Sequence, residues 1–214
     1  GDTSNITKED IYKAFETQRG EIDQYPPIYS ALKVNGQKMC DLARKGKADT
    51  VEIKARRVKI EKIEILNINE NKILFLVKCS KGTYVRSICH DIGNYLKCGG
   101  HMSFLLRTSS GKFNLENSIT LEELEKYYQD NTLDNYLYEI DYVLDNFKKV
   151  KLTQSALKYY RNGGIIDSRR FTTDNLSKDD EYVRVYCNDE FIGTGKLLKN
   201  NNTISLKSDK IFIE

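Results

Sequence analysis

Apolar residues near the start of the chain recur with the spacing of an amphipathic helix across residues 7–19. They form one face, made by Ile11, Ala14 and Phe15. Thr7 is a suitable N-cap with Asp10 three positions later, and Gly20 is able to end the helix in a left-handed conformation. This stretch is therefore predicted to be the first helix.

Two segments further along have the patterns that are typical of strands. Residues 56–66 alternate apolar and polar side chains, but the phase changes at Glu61-Lys62, which indicates a β-bulge. Residues 72–79 are mostly apolar, as in a buried strand, and the polar residues 67–71 connect the two segments. Together they predict a β-hairpin.

The remaining elements follow from the same patterns and from the glycine and proline positions. The adjacent prolines Pro26 and Pro27 predict an extended, stiff segment that begins at Gln24. Helices are predicted at 37–45, 83–97 (capped by Thr83), 120–146 and 153–162. Strands are predicted at 103–108, 181–187, 190–198, 203–207 and 210–213.

The order of these elements predicts an α+β fold with two domains. Residues 1–147 combine helices with a mixed, mainly antiparallel sheet, and the character of the chain changes after Phe147. Residues 148–214 are then predicted to form a small β-rich domain. A chain of 214 residues is long enough for two small domains or one large one.

Composition narrows the class of protein. Hydrophobic residues make up 39% of the chain and charged residues 30%, as in globular proteins. No apolar run approaches the ~20 residues of a membrane helix, and the polar N-terminus lacks a signal-peptide pattern. Five widely spaced cysteines and two histidines predict reduced thiols, no metal site and a cytoplasmic location.

The net charge of +3 is unevenly distributed. Residues 1–112 hold 20 Lys/Arg and 13 Asp/Glu, residues 113–147 hold 1 and 9, and residues 148–214 hold 13 and 9. Two basic blocks that flank an acidic segment are either ordinary solvated surface or a face that binds a polyanion such as RNA. The candidate contacts are Lys33, Arg44, Lys45, Arg56, Arg57, Lys81 and Arg107, with Lys148, Lys149, Lys151, Arg169 and Arg170 in the tail.

The segment with the clearest chemistry is Cys79–Arg86, which predicts a strand, a glycine turn and a helix start. The first turn of that helix carries Tyr84 and Arg86, beside main-chain N–H groups that favour an anion. Arg86 is able to hold a carboxylate, and Tyr84 offers a ring face and a hydroxyl. Such a pair suits a flipped base beside an acidic group, although a Tyr and an Arg in this position are more often structural.

Several motifs in one order change that assessment. The chain resembles the TruB family of pseudouridine synthases, which modify uridine 55 in the T loop of tRNA, and residues 30–36 resemble its bacterial branch. The motifs are Gln24-x-Pro26-Pro27-x-Tyr29-Ser30-Ala31-Leu32-Lys33-x-x-Gly36, Ala43-Arg44-x-Gly46, Ser80-Lys81-Gly82-Thr83-Tyr84-Val85-Arg86, Asp91-x-Gly93 and Leu105-x-Arg107-x-x-x-Gly111-x-Phe113. The C-terminal piece resembles the PUA-like RNA-binding domain that follows in this family.

The resemblance implies an isomerisation without cofactor or metal, on tRNA as the partner. An aspartate attacks the nucleotide, and the base detaches, turns and rejoins through carbon 5. Tyr84 then lies by the target base as the candidate base for the carbon-5 proton, Arg86 pairs with the aspartate, and Leu105 packs at the floor of the pocket. Lys33, Arg44, Lys81 and Arg107 are the expected substrate contacts.

The family's Gly-x-Leu-Asp-Pro type motif has no match in this chain, so we expect that the nucleophile lies in an N-terminal segment outside it. Asp91, Cys79 and Cys89 are weak substitutes, since they fit structural roles better. The intact protein is expected to be monomeric, and a chain without its partner strands is expected to self-associate. The alternatives are a non-catalytic tRNA-binding module, or a guide-RNA-dependent enzyme of the dyskerin branch, against which residues 30–36 argue.

Overall fold

The computed structural model describes residues 1–47, 52–173, 181–200 and 203–212. The chain divides into two compact units, Gly1–Leu106 and Arg107–Glu214. No helix in the described ranges is long and apolar enough to cross a lipid bilayer. The sequence-based boundary between residues 147 and 148 falls inside the second unit, and the PUA-like domain at 148–214 stays a prediction.

The described residues of the first unit form three helices and five strands. In chain order they are α1 (Lys8–Glu16), β1 (Gly20–Gln24), β2 (Lys33–Val34), β3 (Gln37–Lys38), α2 (Met39–Arg44), β4 (Arg56–Asn69), β5 (Lys72–Cys79) and α3 (Val85–Tyr95). Strands β1, β4 and β5 form an antiparallel sheet in that order. The predicted hairpin is therefore confirmed, and so is the bulge, which lies between Ile60 and Lys62 of β4.

Helix α1 begins where the sequence predicts. The Thr7 side chain accepts from the Asp10 N–H, and the Asp10 carboxylate accepts from the Thr7 N–H, which together form a capping box. The apolar face of α1 packs with one face of the sheet and with α3 in a single core: Ile11, Ala14, Phe15, Ile60, Ile63, Ile88 and Ile92. Burial of this face supplies the main stabilisation of the unit.

The predicted helix at 37–45 is shorter in the structure, because its first two residues form a strand. Val34 pairs with Gln37 across a two-residue turn at Asn35-Gly36, and both turn residues have positive φ (51° and 81°). Asn-Gly is the preferred sequence for such a hairpin turn. Helix α2 then begins at Met39, which is fully buried.

Residues 103–108 do not form the predicted strand. A strand needs a neighbour for its main-chain hydrogen bonds, and no described strand pairs with these residues. The segment is positioned instead by the turn that precedes it. Gly93 of α3 packs directly on the backbone of Gly99 and Gly100, so closely that a Cβ on Gly93 would overlap both residues.

The described residues of the second unit form a six-stranded sheet, and short elements precede it in the chain. In chain order, the helices and strands of this unit are β6 (Ser109–Ser110), β7 (Phe113–Asn114), α4 (Leu121–Gln129), β8 (Lys148–Leu152), α5 (Gln154–Arg161), β9 (Ile165–Asp167), β10 (Phe171–Thr173), β11 (Tyr182–Cys187), β12 (Glu190–Asn200) and β13 (Thr203–Ile211). The sheet order is β10-β8-β11-β12-β13-β9, with β8 and β11 parallel and the other pairs antiparallel. Its core encloses Tyr160 of α5.

Two predictions for this unit were wrong in extent. The acidic helix at 120–146 ends at Gln129, because Asn131 adopts a left-handed conformation (φ 54°), and two 3-10 turns follow at Leu133–Tyr136 and Tyr142–Leu144. The two strands predicted at 203–207 and 210–213 are one strand, β13, whose register shift absorbs the break in pattern. Residue 213 lies outside the described residues.

Candidate active site

The turn before α3 places Tyr84 and Arg86. Gly82 has a positive φ of 88°, which closes the turn after β5. The predicted cap, Thr83, does not cap the helix, because its hydroxyl donates to the Ser80 carbonyl oxygen at 2.9 Å. Tyr84 is the N-cap residue instead, and its side chain makes no hydrogen bond to the N–H groups of the first helical turn.

Gln24, at the end of β1, binds the main chain of Tyr84. Its Oε1 accepts a hydrogen bond of 2.7 Å from the Tyr84 N–H, and its Nε2 donates one of 3.1 Å to the Tyr84 carbonyl oxygen. The side chain is only 1% exposed. One buried amide therefore holds the Tyr84 main chain at both its donor and its acceptor.

Two further hydrogen bonds join α3 to the proline segment. The Arg86 guanidinium donates to the Tyr29 carbonyl oxygen at 2.7 Å, and the Ser87 hydroxyl donates to the Tyr25 carbonyl oxygen at 2.8 Å. Two of the sequence motifs, 24–36 and 80–86, are thereby brought into contact across about 60 residues. The Tyr25 and Tyr29 rings remain exposed on the surface beside the helix start.

Arg86 keeps most of its hydrogen-bonding capacity. Its side chain is exposed, and within the described part of the chain only one of its terminal nitrogens makes a hydrogen bond. Tyr84, two residues earlier in the chain, is half-buried. A guanidinium anchored at one nitrogen and open at the others is suited to receive a carboxylate in a bidentate pair.

Leu105 lies on the irregular segment that follows the Gly93 contact. Its side chain is 55% exposed, and the flanking residues Phe104 and Leu106 are also exposed. Three consecutive exposed apolar side chains are unusual at a protein surface unless something covers them. The role of Leu105 at the floor of the pocket therefore stays a prediction. The segment that carries it has an exposed apolar surface.

The basic residues predicted to contact RNA in the first unit differ in whether an acidic side chain pairs with them. Lys33 faces Lys38 directly across the β2–β3 hairpin, and like charges in that position repel unless an anion lies between them. Lys81 is exposed at the turn, and the ion pair of Arg44 with Asp41 is long, at 3.6 Å. Arg57, in contrast, is paired with Asp23 and Glu21, which raise its pKa.

The second unit carries the other predicted contacts. Arg107 is exposed at its beginning. In the tail, the Arg170 guanidinium lies 4.6 Å from the centre of the half-exposed Tyr159 ring, as in a cation–π contact. Arg169 is paired with Asp167 and Lys151 with Asp189. Tyr160 is fully buried, as expected for a packing residue.

The alternative nucleophiles have unsuitable surroundings. Partial burial raises the pKa of the Asp91 carboxyl, which disfavours the carboxylate that a nucleophile needs. Burial likewise raises the pKa of the Cys89 thiol and so lowers its thiolate fraction. Neither group has a hydrogen bond to Arg86 among the described residues.

Sequence reasoning missed the role of Gln24. In the local pattern, a polar residue two positions before the prolines indicates only the start of an extended segment. A signal did exist, since glutamine has both a donor and an acceptor and is seldom fully buried without partners. Its partner, however, lies 60 residues away in sequence, and local patterns do not reveal such distant contacts.

Comparisons with known proteins point to one family. Residues 1–85 match the family model "TruB family pseudouridylate synthase (N terminal domain)", and residues 86–145 match "tRNA pseudouridylate synthase B C-terminal domain". The "tRNA pseudouridine synthase B" of Clostridioides difficile (strain 630) is 65% identical over 212 residues, which are 99% of this chain and 70% of that protein. The protein of the same name from Clostridium kluyveri is 41% identical, over 97% of this chain and 68% of its own length.

Solved structures share the fold at lower identity. The chain titled "Crystal Structure of a Cbf5-Nop10-Gar1 Complex" is 27% identical with a TM-score of 0.71, over 100% of this chain and 63% of that one. The "Structure of H/ACA RNP bound to a substrate RNA containing 2'-deoxyuridine" has the same TM-score at 24% identity, over 99% and 63%. These likenesses confirm the predicted α+β fold class. The chain thus spans 63% to 70% of the length of these four proteins.

Proposed function

Since this chain belongs to the TruB family of pseudouridylate synthases, we propose that its protein isomerises uridine to pseudouridine in tRNA, at position 55 of the T loop. The observation that carries the proposal is the interlock of Tyr84 and Arg86 with residues 24–29. It holds an exposed guanidinium and a half-buried tyrosine two residues apart at a helix start. The names of the relatives support tRNA as the substrate class.

The proposed chemistry uses this chain's residues as partners of an aspartate. The bond from the ribose C1′ to N1 of the base breaks, a bond from C1′ to C5 forms, the C5 proton leaves, and N1 gains a proton. No external oxidant or cofactor is needed for that balance. Arg86 keeps the aspartate ionised and oriented, Tyr84 takes the C5 proton, and Leu105 closes the floor of the pocket against water.

We propose that the aspartate is supplied by residues outside these 214. Its Gly-x-Leu-Asp-Pro type motif has no match here, and the relatives are longer than this chain. The open nitrogens of Arg86 are the proposed docking point for the carboxylate. Asp91 is not proposed in its place, because it has no hydrogen bond to Arg86 among the described residues.

Contact with the RNA backbone is proposed for exposed basic residues. Lys33, Arg44, Lys81 and Arg107 are exposed, and phosphates would relieve the repulsion between Lys33 and Lys38. Lys148, Lys149 and Arg170 are proposed to add contacts from a PUA-like tail. The intact protein is proposed to act as a cytoplasmic monomer on the T stem-loop.

The test is conversion of a T stem-loop RNA that carries tritium at C5 of the target uridine. We expect the full-length protein to release tritium stoichiometrically without added metal or cofactor, and an RNA with cytidine at the target position to give none. Absence of release from both the stem-loop and whole tRNA would overturn the proposal.

A second candidate is favoured by the lack of a matching aspartate motif: the 214-residue chain by itself is a tRNA-binding module. We expect the isolated chain to bind the stem-loop with strong salt dependence and to release no tritium. Release by the isolated chain would remove this candidate and would show that its nucleophile lies within it.

A further inference from the structure

We propose that Gln24 is a positioning residue for Tyr84, an inference that rests on the proposed function. The Gln24 side chain is 1% exposed, and both of its polar atoms are bonded to the main chain of Tyr84. A glutamine that only filled space in the core would leave these atoms unpaired or bonded to its own strand.

The contact is made to the main chain of the N-cap residue itself. The first N–H groups of a helix have no partner within it, and Tyr84, the N-cap of α3, has no side-chain cap of its own. Because Gln24 binds the N–H and the carbonyl oxygen of the same residue, it fixes both the position and the rotation of that peptide. The direction of the Cα–Cβ bond of Tyr84, and so of its ring, follows.

The anchor on the other side is stiff. Gln24 ends β1, where its backbone is paired with Arg56 of β4, and two prolines of restricted φ follow after Tyr25. The Ser87 hydroxyl donates to the Tyr25 carbonyl oxygen, which adds a second hydrogen bond within the first turn of α3. Gln24 therefore fixes the position of the Tyr84 main chain relative to the sheet of β1, β4 and β5.

Misplacement of a catalytic group by about 1 Å can cost roughly 10²-fold in rate. The variant Gln24→Leu keeps the volume and removes both hydrogen bonds. We expect kcat of the full-length protein on the T stem-loop to fall by about 10- to 100-fold, with KM changed little, because Tyr84 is displaced and the RNA contacts are not.

Gln18→Leu is the matched control. Gln18 is also a buried glutamine in this unit, 7% exposed, but its Oε1 has no partner and its Nε2 is bonded only to the neighbouring Thr17 hydroxyl among the described residues. We expect this variant to retain kcat. A Gln24→Leu protein that is folded at the assay temperature and as active as Gln18→Leu would overturn the proposal.

Gln24→Glu separates positioning from plain packing. A neutral carboxyl can reproduce both hydrogen bonds, whereas the carboxylate loses the donor and faces the Tyr84 carbonyl oxygen. Since burial favours the neutral form, we expect near-normal kcat at acid pH that falls, relative to the original protein, as the introduced carboxyl ionises. A ratio of the two kcat values that does not change with pH contradicts the proposal.

A measurement independent of catalysis distinguishes failure of the positioning role of Gln24 from failure of the proposed function. Hydrogen exchange of the Tyr84 N–H should be slow in the original protein and in Gln18→Leu, and faster in Gln24→Leu. Unchanged exchange in Gln24→Leu would overturn the positioning role even in an active enzyme. Faster exchange in a protein that never forms pseudouridine would retain the contact and reject the proposed function.

Discussion

The Arg86 guanidinium donates a 2.7 Å hydrogen bond to the carbonyl oxygen of Tyr29, which lies 57 residues earlier in the chain. Tyr29 belongs to the proline segment, so this bond sets the direction of the arginine from outside its own helix. A planar guanidinium can donate from one nitrogen to such a carbonyl oxygen and still present two parallel N–H groups to a carboxylate, which an ammonium cannot do. Arginine at this position therefore serves both structure and the proposed chemistry.

The first prediction concerns replacement of that guanidinium. Arg86→Lys should lower kcat on the T stem-loop by about 10²-fold, because an ammonium bonded to Tyr29 cannot also present two parallel N–H groups to a carboxylate. Thermal denaturation should change little, since the side chain is exposed. Arg19→Lys is the control, because Arg19 also donates to a distant carbonyl oxygen, that of Ile63. Equal activity of the two variants would count against the proposed role of Arg86.

The second prediction concerns the facing lysines of the β2–β3 hairpin. Replacing Lys33 and Lys38 together by alanine should weaken binding to the T stem-loop and reduce the salt slope by about 1 for each phosphate that is no longer neutralised. The unbound hairpin should not be destabilised, because the repulsion between the two charges is removed. Lys13→Ala, which affects an ion pair with Glu9 on α1, should leave the slope unchanged. An unaltered slope in the double variant would place these lysines outside the RNA interface.

The third prediction concerns the ion pair between Arg184 and Asp141, whose side chains are 12% and 14% exposed. Burial would raise the pKa of Asp141, but hydrogen bonds from Tyr186 and Arg184 outweigh it and lower the pKa. Arg184→Met should destabilise the protein by about 2–4 kcal/mol, because a largely buried carboxylate is left without its partner. Lys196→Met breaks an exposed pair with Glu181 and should cost less than about 1 kcal/mol.

The pH dependence of that pair has a definite sign. Because the folded pKa of Asp141 is lowered, its stabilising contribution is present above the ordinary aspartate pKa and is lost as the pH falls through the folded value. Denaturation midpoints of the original protein and Arg184→Met should therefore converge at acid pH. A constant difference between them across the acid range would contradict this account.

The fourth prediction concerns the buried hydroxyl of Tyr160, which donates to the carbonyl oxygens of Thr194 and Lys210. Tyr160→Phe should cost about 1–3 kcal/mol, since a buried and a part-buried carbonyl oxygen are left without this donor. Burial and the charge of Asp209 raise the pKa of Tyr160. Its stabilising contribution is therefore complete below the unfolded pKa of about 10 and is lost as the pH rises from there through the folded pKa.

Tyr159→Phe is the matched control for Tyr160→Phe, because Tyr159 is the next residue and is 50% exposed. It should change neither the stability at neutral pH nor its alkaline dependence. The measurement is chemical denaturation of each variant at several pH values. A similar loss for both substitutions would show that the buried hydroxyl is not the cause.

The fifth prediction concerns the close approach of Gly93 to Gly99 and Gly100. Gly93→Ala should destabilise the first unit by about 1–3 kcal/mol, because two backbones must separate to admit the methyl group. It should also lower activity by shifting the segment that carries Leu105. Asn94→Ala, at the exposed next residue, should affect neither. Full stability of Gly93→Ala would refute the close packing.

Local patterns predicted those elements whose cause is local. The capping box of Thr7 and Asp10, the bulge after Ile60 and the hairpin of β4 and β5 all depend on residues within a few positions of one another. Predictions failed where a neighbour distant in sequence decides the structure. The segment 103–108 has the composition of a strand, but a strand forms only where another strand supplies its hydrogen bonds.

By itself, the sequence determined the family, the α+β class and the candidates Tyr84 and Arg86, because motif order and apolar periodicity are properties of the chain alone. Only the tertiary structure decided which residues hold those candidates. The Gln24 amide on Tyr84 and the Tyr29 carbonyl oxygen on Arg86 are hydrogen bonds between segments about 60 residues apart. Such bonds depend on distance and direction in space, which exist only once the sheet and α3 have packed around their common core.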